Sequence, residues 1–212
     1  MVELDHLFIE NNGIKLEAEM FQSTSRENNL FVLICHPHPH YGGNMYNNVV
    51  SGVFNKLITN NISCIRFNFR GVGRSTGSHS DGTGELSDVH ACINFLLNEK
   101  KSEKIILCGY SYGAVIGCSA VEFSEKIAGY ISISFPWGFM GLKYKELSQT
   151  KKPKLFIQGD RDSVASYQHF DNNYNFYDDP KSKRIIKGAD HFYGGFEDAV
   201  AEEALNFIRS LE

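Results

Sequence analysis

In "GYSYG" (Gly109 to Gly113) a serine stands between glycines two positions before and two after. That spacing suits a very tight strand-to-helix turn. The serine is held in a strained conformation with its hydroxyl exposed, and the glycines remove side chains that would clash. The same pattern occurs in "GRSTG" (Gly73 to Gly77). Only the first is entered directly from an apolar strand and left through a helix-like run, "AVIGCSAV", so Ser111 is the nucleophile candidate. A serine needs a base, and the base an orienting acid; in the class of fold that sets its serine on such a strand–turn–helix elbow, the chain order is Ser, Asp or Glu, His. Two histidines follow Ser111, His169 and His191. His191, in "KGADHFYGG", comes just after the last strand-like run. His169, in "SYQHFDNNY", reads as a surface position on a helix. For the acid, "LFIQGDRDSV" offers Asp160 and Asp162 at the end of a strand; either could also be an ordinary turn carboxylate.

A second stretch invites a different chemistry. "LICHPHPHYGGNM" (Leu33 to Met45) carries His36, His38 and His40 at alternate positions. On an extended strand these would point the same way, as metal ligands could. Prolines distort a strand, however, and no other Glu or His cluster shows matching spacing for a third ligand. A metal-dependent (β/α)₈ hydrolase would also want about 250 residues. The stretch is therefore expected to hold no metal, and no cofactor is expected elsewhere. The backbone offers more. Acyl transfer builds an oxyanion that two preorganised N–H groups can stabilise. The amide of Tyr112, after the nucleophile, is one candidate. The second comes from the loop after "LFVLIC". Pro37 and Pro39 have no N–H, which makes the amide of His38 the expected donor, with His40 or Tyr41 next. Gly42 and Gly43 would let the loop turn back towards the site. The alternative is that the prolines only end the strand.

These residues need elements to carry them. "VELDHLFIE" and "IKLEAEMFQ" flank "NNG" and read as an N-terminal β-hairpin. "LFVLIC", "ISCIRFNF", "KIILCG", "IAGYISISF", "KLFIQG" and "KRIIKG" read as further strands, the first buried on both faces. Helical spacing of apolar residues predicts helices over Asn47 to Thr59, Glu85 to Asn98 and Phe196 to Leu211, and a small-residue helix over Tyr112 to Phe123. Strands alternating with helices imply an α/β fold with a mostly parallel central sheet flanked by helices. Ligands of such sheets bind beyond the carboxyl ends of the strands, where the loops singled out above all lie. One domain spanning residues 1–212 is expected, since the 212-residue chain shows no internal repeat, linker or low-complexity segment.

The bulk properties exclude several classes. A net charge of −4 and no basic run beyond "EKKSEK" argue against nucleic acid as a partner. No apolar run approaches a membrane span. The N-terminus carries three acids before residue 11 and lacks a basic segment followed by an apolar one, so no secretory signal is read. Five cysteines without C-x-x-C spacing read as buried, reduced thiols, which fits a cytoplasmic protein. "RGVGRSTG" is not a dinucleotide or phosphate loop, because its glycines are mis-spaced and no G-K-[ST] follows.

Taken together, "HPHPHYGGNMYNN", "RFNFRGVGRSTG", "CGYSYGA", "LFIQGDRD" and "GADHFYGG" resemble, in content and order, an α/β-hydrolase. The likeness is to the small, lid-poor group related to dienelactone hydrolases, and it covers nearly the whole chain. The resemblance implies the α/β-hydrolase fold with little or no lid. In that family the acid follows its strand in a G-x-x-D pattern, which selects Asp162 over Asp160. Ser111, Asp162 and His191 thereby take the nucleophile, acid and base positions. Dienelactone hydrolases themselves carry a cysteine nucleophile, so the substrate does not transfer with the name. Where the family often has Val-Pro after the acid, this chain has Val164-Ala165.

The implied activity is hydrolysis of a small ester or thioester through an acyl-enzyme, with a small-molecule acyl compound as the partner. Transfer to another acceptor would use the same residues, and a non-catalytic scaffold is the alternative of a different class. The segment from Ser134 to Pro153, where relatives insert a lid, has room for a loop and one short helix. Tyr110, Trp137, Phe139 and Met140 are candidates to line an acyl pocket, an ordinary core cluster being the competing reading for the last three.

Overall fold

The computed structural model describes residues 3–24, 29–139 and 141–211. The predicted hairpin forms from β1 (Asp5–Asn11) and β2 (Ile14–Phe21), paired antiparallel. Its two-residue turn needs positive φ at both positions. Asn12 at 50° and Gly13 at 86° supply it. The remaining strands are β3 (Leu30–Cys35), β4 (Cys64–Phe67), β5 (Lys104–Tyr110), β6 (Ile127–Ile133), β7 (Lys154–Gly159) and β8 (Lys181–Ile186). They join the hairpin in one eight-stranded sheet of order β1-β2-β4-β3-β5-β6-β7-β8. From β4 to β8 every pairing is parallel. The expected mostly parallel sheet is thus present, with the hairpin as its antiparallel end.

Both faces are covered, and the strand period sorts residues between them. In β3, Phe31, Leu33 and Cys35 enter one core, where they meet α2 (Thr83–Asn98) and α3 (Tyr112–Cys118). Leu30, Val32 and Ile34 enter the other, against α1 (Asn48–Thr59) and α6 (Glu197–Arg209). Burial on both sides explains why β3 reads as an unbroken apolar run rather than an alternation. The edge strand β8 is different: Lys183 and Arg184 are exposed on it, and charge on an edge discourages pairing with another chain. All five cysteines are buried free thiols, as expected. Burial raises the pKa of each, that of Cys108 to about 12.

Two elements differ from expectation. The small-residue helix stops at Cys118, not Phe123. Ser119 ends it by turning its hydroxyl back to the carbonyl of Val115 at 2.7 Å and to that of Tyr144 at 3.1 Å. The chain then tightens into i→i+3 turns, with Ala120 N–H on Gly117 and Val121 N–H on Cys118. The "SYQHFDNNY" helix is a 3₁₀ turn over Tyr167–His169 followed by the short α5 (Phe170–Asn175). Between β6 and β7 the chain forms turns and one short helix, α4 (Leu142–Leu147), so no large cover is built there. Among the described residues, no helix is long and apolar enough to cross a membrane.

Candidate active site

The carboxyl ends of β5, β6, β7 and β8 bring the predicted residues to one place. Ser111 sits between β5 and α3 with φ 55° and ψ −120°, a conformation costly for a residue with a side chain. Its neighbours make the turn possible. A Cβ at Gly109 would overlap the backbone of Gly113, and one at Gly113 would overlap the Cys35 carbonyl. Both glycines are therefore demanded by close backbone approach. Ser111 Oγ lies 3.0 Å from His191 Nε2, and His191 Nδ1 lies 2.9 Å from Asp162 Oδ2. All three residues are buried. With the imidazole proton on Nδ1, assigned from this network, Nε2 is free to accept the serine proton.

Asp162 is held from four directions. Its second oxygen accepts from the Val164 and Ala165 amides at 2.9 and 2.8 Å, and Ser134 Oγ donates to Oδ2 at 2.7 Å. Burial pushes the carboxyl pKa up, but the bonds from His191 and Ser134 outweigh it and hold it below the usual carboxylate value. Asp160 plays another part: its carboxylate accepts from the Gly188 amide at 2.7 Å. Ser75, in the decoy "GRSTG", bonds the Asn68 carbonyl and the Glu17 amide and is buried. His169 is exposed.

Ser134 and Tyr193 are site residues that the sequence did not mark, and Tyr110, expected at the pocket, also supports the base. Tyr193 places its hydroxyl 2.7 Å from Ser134 Oγ, and Tyr110 donates to the His191 carbonyl at 2.6 Å. The available signal was position: Ser134 directly follows an apolar strand at the sheet edge that carries the acid loop.

The histidine stretch separates rather than aligning. His36 is fully buried. Its Nδ1–H donates to the Pro37 carbonyl at 2.7 Å and its Nε2 accepts from the Phe69 amide at 3.1 Å. His38 opens a 3₁₀ turn over Pro39–Tyr41 and accepts from the His40 amide at 3.2 Å. Gly42 turns at φ 81°, and a Cβ at Gly43 would overlap the Pro37 carbonyl. The loop is tied down by Asn68, which accepts from the Met45 amide at 2.8 Å, and by Arg66, which donates to the Met45 carbonyl at 3.1 Å. Arg66 is itself paired with buried Glu19 at 2.6 Å.

A cavity of about 410 Å³ opens over Ser111. His38 and Tyr112 both border it. Tyr112 opens α3, where first-turn N–H groups have no partner within the helix. Among the described residues, no loop carbonyl accepts from either amide. Of the pocket candidates, Tyr110 and Phe139 line the cavity. Trp137 does not. It stacks on Phe135, meets Phe170, and donates to the Tyr177 hydroxyl at 3.1 Å, so it belongs to the aromatic core. Met140 lies outside the described residues. Val164 and Phe192, both exposed, complete an apolar mouth with Phe139.

Buried His36 makes stability depend on pH. Burial, the largest influence, pulls its pKa down to about 4, whereas a histidine of the unfolded chain titrates near 6.5. Below that value the unfolded chain takes up a proton that folded His36 refuses. Its contribution is complete above about pH 6.5 and is lost as the pH falls to about 4, roughly 3 kcal/mol in all. Urea midpoints should fall steadily from neutral pH to about pH 5; a flat profile would contradict a neutral, buried His36.

The chain is similar to known proteins over most of its length. The chain matches a family described as an alpha/beta hydrolase domain over residues 31–205. An uncharacterized Rickettsia prowazekii protein, RP471, is 33% identical over 186 residues, covering 84% of this chain and 78% of its own length. Among solved structures, an alpha-beta serine hydrolase homologue from Coxiella burnetii superposes with a TM-score of 0.86 at 31% identity, covering 98% of this chain and 97% of that one. XC6422 from Xanthomonas campestris, described as an a/b serine hydrolase without lid, gives a TM-score of 0.86 at 25% identity, covering 99% and 95%.

Proposed function

The chain belongs to the alpha/beta hydrolase domain family, and from that premise we propose that it is a serine hydrolase cleaving a small ester or thioester. The observation that carries this reading is the unbroken chain of hydrogen bonds Ser111–His191–Asp162, opening into a cavity. In the proposed reaction Ser111 Oγ attacks the acyl carbonyl while His191 Nε2 takes its proton. Asp162 keeps the imidazole in the required tautomer and stabilises the imidazolium. The amides of Tyr112 and His38 receive the developing oxyanion. His191 then protonates the leaving alcohol or thiol, and an acyl group remains on Ser111. Water, deprotonated by His191, releases the acid and restores the serine.

The apolar mouth supports an acyl compound with a hydrophobic portion, and a cavity of this size suits a small one. The short α4 segment favours an open site over one closed by a large cover.

Labelling with a fluorophosphonate probe tests the reading. The wild-type protein should take one label, and Ser111→Ala none. Equal labelling of both, or of neither, would favour the scaffold reading over an active hydrolase.

A further inference from the structure

We propose that His38, His40 and His79 form a binding site for a divalent transition-metal ion of the zinc type, beside the cavity that holds Ser111 and outside the Ser111–His191–Asp162 chain. The three side chains come from two loops, and their ligating nitrogens all lie within 4.8 Å of one another. Their ring centroids are 4.5 to 5.5 Å apart. On a tetrahedral zinc with bonds of about 2.0–2.1 Å, neighbouring nitrogens sit about 3.3 Å apart. The remaining distance is closed by turning exposed His40 and the His38 ring. Among the described contacts no ring nitrogen of the three bonds another of these rings, although His38 and His79 both also pack against the Tyr112 ring.

The surroundings of His79 fit a ligand. Its side chain is 10% exposed, and Nδ1 lies 2.9 Å from Glu85 Oε1 without the geometry of a hydrogen bond, so this buried nitrogen has no hydrogen-bond partner among the described residues. A buried ring nitrogen left without a hydrogen-bond partner calls for an occupant, and a bound ion is one that would supply it. Glu85 is fully buried and is itself fixed by the Ser80 and Gly82 amides at 2.9 and 2.8 Å. Asp81, wholly exposed, has a carboxylate oxygen 3.6 Å from His79 Nε2 and can supply a fourth ligand. Imidazole donors with one carboxylate suit zinc, cobalt, nickel or copper rather than magnesium or calcium.

Binding has a local consequence. His38 Nδ1 now accepts from the His40 amide at 3.2 Å, and ligation through either ring nitrogen ends that bond. The ion would replace it with a cross-link between the loop after β3 and the loop before α2.

The site stands or falls on metal uptake alone, independently of hydrolysis. The test is calorimetric titration of chelator-treated, tag-free protein with zinc chloride in a non-coordinating buffer, with melting temperature read with and without zinc. Wild type should bind one ion per chain and melt higher with it. His40→Ala and His79→Ala should each weaken binding about tenfold or more and lose the zinc-dependent rise in melting temperature. His169→Ala, elsewhere on the surface, should bind as wild type does. His40 is exposed, so His40→Ala keeps the fold. No uptake by wild type, or uptake unchanged in His40→Ala and His79→Ala, overturns the proposal.

Discussion

Ser111→Ala should hydrolyse an activated ester about 10⁶-fold more slowly than wild type, with the loss in kcat and little change in KM. The substitution removes the only atom that can form the acyl-enzyme in the proposed reaction. It leaves the cavity walls, the His191–Asp162 pair and both candidate oxyanion amides in place. What remains should be the 10³–10⁴-fold advantage over water, to order of magnitude, that binding and oxyanion stabilisation give without a nucleophile. The fold should not suffer. Alanine at φ 55° meets the same backbone strain as serine, and it loses only one hydroxyl hydrogen bond. Steady-state kinetics on a chromogenic ester, with matched melting curves, gives the answer. A mutant within about tenfold of wild type would remove Ser111 from the mechanism.

Asp162→Asn should cost about 10⁴-fold in kcat, for a reason visible in the four bonds to this side chain. An asparagine oxygen can still accept from the Val164 and Ala165 amides, so the acid loop keeps its shape. The amide NH₂ then occupies the place of Oδ2, facing His191 Nδ1. Two donors cannot share that contact, so the imidazole moves its proton to Nε2. That proton points at Ser111 Oγ, 3.0 Å away, and the base is lost without any gross rearrangement. Asp160→Asn is the matched control: Asp160 bonds the Gly188 amide and not the histidine, so its replacement should leave kcat near wild type. Equal losses in the two variants would show that the acid loop, not the carboxylate on His191, is what matters.

Most of the architecture was legible because periodicity reports burial directly. β3 is apolar throughout because it is covered on both faces. The nucleophile turn was legible because its glycines are required by backbone contacts within "GYSYG" itself and with Cys35 close by in the sheet. What sequence hid depends on partners remote in the chain. Trp137 could line a pocket or join a core. The choice is made by Phe135, Phe170 and Tyr177, the last two from well beyond the segment that carries the tryptophan. The end of α3 at Cys118 turns on one hydroxyl, that of Ser119, competing for carbonyls. The histidine stretch is the sharpest case. Alternate spacing grouped His36 with His38 and His40, whereas Pro37 and Pro39 break the strand and send His36 into the core. Its place near the other two is taken by His79, from a loop with no local signal of that role.

The sheet is sided in a way that bears on how such a chain could be altered over generations. Ser111, Ser134, Asp162 and His191 follow the carboxyl ends of four adjacent strands, whereas the apolar contacts that hold those strands lie on their two faces. Phe139, Val164 and Phe192, at the mouth, are exposed and make no part of either core. Selectivity and foldability are therefore written in largely separate residues. If the chain cleaves an acyl compound as proposed, the mouth can drift towards a new acyl group while the frame stays constant, and the glycines and prolines of the nucleophile and histidine loops mark the limit of that freedom.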